Sequence, residues 1–168
     1  MQWSFLKKLY VSAEIGLATM LSFWLGGLIT GFFYTGMPIM GGLWVAISAI
    51  IVLQDRKDIT EHFAFVRIAG SFVGSVVPGI ILSFLPANFY TIFLIVFLTV
   101  FICNILNFNE GMRLAALTAS VIIAVSLTDP KVAFYMNSAS RFVESCCGSF
   151  LAILIRYLTH YSIQYLKK

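Results

Sequence analysis

The sequence predicts an all-α membrane protein of six transmembrane helices, and three observations carry that expectation. First, 60% of its 168 residues are hydrophobic and only 11% charged, with a mean hydropathy of +0.95. A soluble domain has roughly half apolar residues and about a quarter charged. Second, apolar runs of bilayer-crossing length recur at short intervals. At roughly 28 residues per crossing and loop, the chain has room for about six crossings and no sizeable soluble domain. Third, the basic residues gather at every other end of those runs, on one side of the membrane. Such apolarity excludes disorder, and a nucleic-acid partner is not expected. The whole of 1–168 is read as a single transmembrane domain.

The six runs are Val11–Phe33, Pro38–Gln54, Val66–Leu85, Phe89–Leu106, Met112–Thr128 and Asn137–Thr159. Polar breaks at Tyr34–Met37, Asp55–Phe65, Pro86–Asn88, Asn107–Gly111 and Asp129–Met136 separate them. Each must be helical, because hydrocarbon offers no partner to an unpaired backbone group. Strand-sized alternating segments of a barrel are absent. The first run follows Lys7 and Lys8 as a signal peptide would. It is too long for that role and lacks a small-residue cleavage site, so it is a retained helix. Gly27 and Gly31 give it a small-residue face. Pro38 opens the second run, where a first helical turn tolerates it. The third run carries Gly70 and Gly74 in GxxxG spacing beside Ser71, Ser75 and Gly79, a close-packing face. Pro78 within it predicts a kink. The sixth run repeats the small-residue spacing at Gly148 and Ala152. The second and fifth runs are the shortest, which at matching positions of two halves points to a substrate site.

With the N-terminus inside, the cytoplasmic stretches hold nine basic residues: Lys7, Lys8, Arg56, Lys57, Arg67, Arg113, Arg156, Lys167 and Lys168. Only Lys131 and Arg141 fall on the outer side. This bias places both termini in the cytoplasm and makes the net charge of +4 a topology signal. Trp3, Tyr10, Tyr34, Tyr157, Tyr161 and Tyr165 fall at the expected interfaces, as aromatic belts do.

Shifted by 74 residues, the chain matches itself. Arg67–Ser75 lies over Arg141–Ser149 with four of nine positions identical, and Leu53, Asp55 and Lys57 lie over Leu127, Asp129 and Lys131. Helices two and three thus correspond to five and six, and one to four more weakly. Three crossings is an odd number, so the second copy runs the opposite way: a 3+3 inverted repeat, the architecture of many secondary transporters.

Charge inside a bilayer is costly and marks positions to explain. Arg141 and Glu144, three residues apart, share a helix face. They form either a structural ion pair or a pathway-lining cation tuned by its acid. Arg67 either snorkels to headgroups or lines a path. Glu14 lies at headgroup depth or serves as a proton-coupling carboxylate. Gly70, Gly74 and Gly148 are helix-packing residues. No catalytic motif, P-loop, GxSxG or GxGxxG occurs. Cys103, Cys146 and Cys147 show no CxxC spacing, and His62 and His160 stand alone, so no enzyme activity, cofactor or metal site is expected.

The stretch Leu43–Gln54, with Trp44, Ala46, Ser48 and Ala49, followed by Arg67, Gly70, Ser71 and Gly74, resembles the signature of the fusaric-acid-resistance-like (FUSC) superfamily, which includes the aromatic acid exporters. There a Trp-Ala-x-x-(Ser/Thr)-Ala helix ends in Leu/Val-Gln and an Arg-x-x-Gly-(Ser/Thr)-x-x-Gly helix follows. The Arg141, Glu144, Gly148 arrangement is similar to the family's sixth helix. The resemblance implies efflux of aromatic or other organic anions, with Trp44, Gln54, Arg67, Arg141 and Glu144 as substrate-path candidates. It also implies a multi-pass protein of the inner (cytoplasmic) membrane. Two departures stand out: Asp55-Arg56-Lys57-Asp58 replaces the usual proline and small-residue turn, and no cytoplasmic domain or second set of six helices follows. A single module is therefore expected to work as a homo-oligomer or with a partner subunit. A non-transporting membrane subunit or scaffold, and a passive anion channel, are the alternatives.

Overall fold

The computed structural model describes the backbone of residues 2–33, 38–54, 56–128 and 133–166, with side chains over 8–31, 39–54, 56–128 and 133–161. The described residues form six α-helices and no strand: α1 (Gln2–Phe33), α2 (Pro38–Val52), α3 (Lys57–Ile81), α4 (Phe89–Ile105), α5 (Asn109–Thr128) and α6 (Phe134–Leu166). Four of them contain segments long and apolar enough to cross a membrane: Lys8–Gly31, Lys57–Ile81, Asn109–Thr128 and Phe134–Tyr161. Ile39–Val52 and Phe89–Ile105 are apolar but shorter. The expected break at Tyr34–Met37 and the first four residues of the one at Asp129–Met136 lie outside the described residues, as do the side chains of Trp3, Lys7, Tyr34, Lys131, Tyr165, Lys167 and Lys168; the rest of the second break is shorter than expected, since α6 is already helical at Phe134.

Several helices begin well before the apolar runs that mark them. Asp55–Phe65 was expected as a break, yet α3 is already helical at Lys57. Its first two turns are held by polar contacts. Arg56 pairs with Asp58 at 2.6 Å, and the Thr60 hydroxyl donates to the carbonyls of Arg56 (3.0 Å) and Gln54 (3.2 Å). Hydropathy reports what a residue's surroundings must be, whereas a helix continues as long as its turns find partners. α5 likewise starts at Asn109, with Glu110 in its first turn, where a carboxylate suits the positive end of the helix dipole. At 20 residues it is longer than α4 (17 residues) and α2 (15 residues). The two shortest helices are therefore α2 and α4, which the 74-residue shift does not superpose. The expectation of matched short segments in helices two and five is overturned.

The turns are specified locally. Asn88 caps α4, its side-chain Oδ1 accepting from Thr91 N at 2.9 Å. α4 ends in a Schellman motif: Phe108 N donates to Cys103 O (2.8 Å) and Asn107 N to Asn104 O (3.1 Å). Asn107 takes the left-handed position, φ 53°, usually given to glycine. Pro78 stands one turn from the end of α3, not at its middle.

The chain forms two compact units. The first comprises residues 1–65 and 146–168, hence α1, α2, the start of α3 and the later part of α6. Here α1 packs on α2. A methyl group on Gly26 would lie 2.6 Å from Gly41 O, and one on Gly42 would lie 2.8 Å from Phe23 O. The close face of α1 is thus Gly26 with Ser22 and Thr30, all buried, and not the expected Gly27–Gly31 pair: Gly31 faces open space. One residue turns a helix by about 100°, enough to exchange faces. Gly148 of α6 closes against Val45 O and Ser48 of α2, beside a small apolar cluster of Ala49, Val52, Ala64 and Ala152.

The second unit, residues 66–145, holds the rest of α3, α4, α5 and the start of α6. α4 packs on α5. Gly70 and Gly74 bring α3 onto α5: a methyl at Gly70 would lie 2.9 Å from Gly111 O, and one at Gly74 would strike Ala115 O. Leu82, Ile95, Ala119, Ile122 and Ile123 form its apolar cluster. On α4 the buried residues Thr91, Ile95, Thr99 and Cys103 recur every fourth position. The exposed Phe93, Phe97 and Phe101 form a ladder with ring centroids 5.9 Å apart. Polar and small residues inside, large apolar ones outside, is the reverse of a water-soluble helix.

These contacts predict unequal costs for glycine replacement. Gly74→Ala and Gly148→Ala each put a methyl group into backbone, and overpacking of this kind costs about 1–3 kcal/mol. Gly31→Ala should leave stability within about 0.5 kcal/mol of the parent. Thermal melts in one mild detergent should rank the three variants in that way.

Candidate functional site

The buried polar residues of the second unit gather on facing helices. α6 presents Asn137, Arg141, Glu144 and Ser145 at intervals of four, three and one, which keeps them on one face. α3 contributes Arg67, Ser71 and Ser75, and α5 contributes Thr118. Ser71 and Thr118 approach to 3.5 Å between their hydroxyl oxygens. Arg141 and Glu144 form a fork: Nη2 donates to Oε1 at 3.0 Å and Nη1 lies 2.9 Å from Oε2. Their exposures are 3% and 0%, so the pair is not at a solvated rim. One charge-assisted hydrogen bond and a second close ion-pair contact let both charges coexist away from water. Arg67, its counterpart under the 74-residue shift, is 2% exposed and lies in the same unit. A buried guanidinium does not fit an arginine that snorkels to the surface. Chemically, the unit offers two buried guanidinium groups, that of Arg141 beside the Glu144 carboxylate, together with the buried hydroxyls of Ser71, Ser75 and Thr118.

The other candidates lie in the first unit. Trp44 is half-buried on α2. Gln54 lies just past the end of α2 and turns back on it, its Nε2 donating to Ile51 O at 3.1 Å. Thr60 closes the same turn, its hydroxyl accepting from Gln54 N at 3.1 Å. Here the glutamine side chain caps a helix end. Gly148 is the packing contact already described.

Glu14 is buried among named partners. Arg156 Nη1 donates to both of its oxygens, at 3.2 and 3.0 Å, and the Thr159 hydroxyl donates to Oε1 at 2.7 Å. Tyr10 adds a bond from its hydroxyl to Thr159 O at 2.9 Å. At the next residue of α6, Tyr157 donates to Glu61 at 2.6 Å while Lys57 Nζ sits 3.6 Å over the Tyr157 ring. Arg156 was read from the sequence only as one more cytoplasmic charge. Its four-residue spacing from Ala152 and Gly148, both on the buried face, was the available signal that it points inward.

The sequence profile of the family described as fusaric acid resistance protein-like matches residues 17–155. No curated protein and no solved structure shows significant similarity to the chain.

The buried fork makes a testable distinction. Arg141→Met alone removes a charged partner of the buried Glu144 carboxylate and should cost about 3–5 kcal/mol of stability. Adding Glu144→Leu should recover most of that loss, since paired charges can be replaced by packed apolar groups. A melt of the double variant as low as that of the single one would refute this account.

Proposed function

Since the chain belongs to the fusaric acid resistance protein-like family, we propose that it is a membrane transporter moving organic anions, aromatic ones among them, out of the cell. The observation that carries this reading is the pair of buried arginines, Arg67 and Arg141, in one unit of a multi-pass membrane protein. Arginine held in a low-dielectric interior is a costly choice unless its charge is used. A planar guanidinium matches a carboxylate with two parallel bonds. Glu144 partly neutralises Arg141, so an arriving carboxylate competes with a resident one. That favours binding weak enough to allow release.

The 3+3 inverted repeat belongs to the same proposal. α1 packs on α2 as α4 packs on α5. Gly74 of α3 meets α5, and Gly148, its counterpart in α6, meets α2. Each half of the chain thus lends its third helix to the other half's pair, which supports the repeat. Nine basic residues on one side support cytoplasmic termini in the inner membrane. Glu14 is the coupling carboxylate of this scheme, its pair with Arg156 joining α1 to α6. The protein acts as a homo-oligomer, its outward aromatic faces open to further copies or lipid.

Liposomes carrying purified protein and loaded with benzoate should release it faster than empty liposomes. Arg141→Met/Glu144→Leu, stable but without the guanidinium, should fall by at least tenfold towards the empty-liposome rate. Equal release with and without protein, across several acids and imposed pH gradients, would overturn the proposal. Reproducible co-purification of a second protein would favour a membrane subunit of a larger assembly instead.

A further inference from the structure

One polar side chain of α4 goes unanswered within the chain. Asn104 is exposed on the last turn, and its amide has no hydrogen-bond partner among the described residues. Gln54, at the end of α2, turns its amide back onto its own helix; Asn104 does not. Asn104 lies two heptads beyond Tyr90, which puts both on one face. Phe93, Phe97 and Phe101 fall between them at steps of three and four, on the same face. These four aromatic residues are 49 to 89% exposed, and on the opposite side of the helix Thr91, Ile95, Thr99 and Cys103 are buried. The result is an outward strip, aromatic along its length, with a phenol at one end and an amide at the other. An amide facing hydrocarbon is costly unless it is paired.

We propose that this strip is where two copies of the chain meet: α4 pairs with α4 of a second copy, and the two Asn104 amides hydrogen-bond to each other. This rests on the reading above that the protein is a homo-oligomer, and names the face it uses. The amide selects the occupant. It carries both donors and an acceptor, so two asparagines at one depth satisfy each other reciprocally, which a lipid chain cannot do. Copies inserted under one charge bias share an orientation. The paired helices therefore run parallel, and each residue lies level with its own counterpart. Helix length points the same way. The 17 residues of α4 span about 25 Å, against a hydrocarbon core of about 30 Å. A helix this short deforms the surrounding lipid, and association with a second copy relieves part of that cost. The area is sufficient too. At roughly 200 Å² per aromatic side chain, the exposed parts of the strip's aromatics and of neighbouring Phe89 amount to about 700 Å². A stable interface takes roughly 600–1,000 Å² from each partner.

Two measurements test the contact. In isolated membranes, mild oxidation should join Phe97→Cys chains into disulfide-linked dimers. The parent, with its native Cys103, Cys146 and Cys147, should remain single chains, as should Leu154→Cys, altered at an exposed position of α6. In liposomes, energy transfer between copies labelled at the C-terminus should report dimers over a range of protein-to-lipid ratios. Asn104→Leu should weaken those dimers by about three- to tenfold. Both substitutions lie on an exposed face, so thermal melts should show the subunit still folded. A Phe97→Cys disulfide together with a weakened Asn104→Leu dimer supports the contact. Failure of either arm in a protein that still dimerises would overturn the α4 contact and leave the homo-oligomer reading standing. A parent that stays monomeric at every ratio would overturn both.

Discussion

Hydrocarbon cannot solvate a polar group, and that constraint organises every helix of this protein. Backbone bonds are closed within each helix, and side-chain hydroxyls turn back on their own carbonyls, as Thr99 does to Ile95 and Ser120 to Ala116. Three sets of charged or amide side chains are turned inward: the Arg141–Glu144 pair, the Glu14–Arg156 pair, the Asn137 amide. Large apolar side chains then have nowhere to go but outward, where Phe93, Phe97 and Phe101 stack in a row. With the hydrophobic effect weak between helices, contact depends on how closely backbones approach. Glycine and alanine at Gly26, Gly74, Ala115 and Gly148 set those distances.

The same constraint explains what could be read from the sequence. Six apolar runs each fall on one helix, because apolarity over about 20 residues has few other meanings. Gly70, Gly74 and Gly148 were legible as packing residues for a similar reason. Helix ends were not legible. Lys57, Asp58 and Glu61 look like a loop by hydropathy, but their partners, Arg56 and Tyr157, are visible only in three dimensions. The exchange of Gly27 for Gly26 on α1 has the same origin: both have a small residue four positions on, and only the neighbour α2 decides between them.

The candidate site was legible in part. Arg141 and Glu144 reveal their pairing through spacing on one helix. Glu14 and Arg156 are 142 positions apart, and no local pattern joins them. Asn137 was taken as the first residue of an apolar run. Its amide answers a carbonyl of another helix, Ile122 O of α5. Local pattern thus finds charges that answer each other within a turn and misses those that answer across the chain.

The first unit is discontinuous in sequence, and that has a bearing on biosynthesis. Its α1–α2 hairpin is made first. The face of α2 bearing Val45, Ser48 and Ala49 must then wait until Gly148 and Ala152 arrive, after the whole of Val66–Ser145 has been synthesised. Chains grow at about 5–20 residues per second, so that face stays uncovered for roughly five to twenty seconds, along with buried Glu14, whose partner Arg156 comes later still. The second unit has its own sequence-continuous contacts and needs no such wait. α6 thus seals helices made well before it, and a truncation within α6 would leave an acidic residue and a backbone groove uncovered.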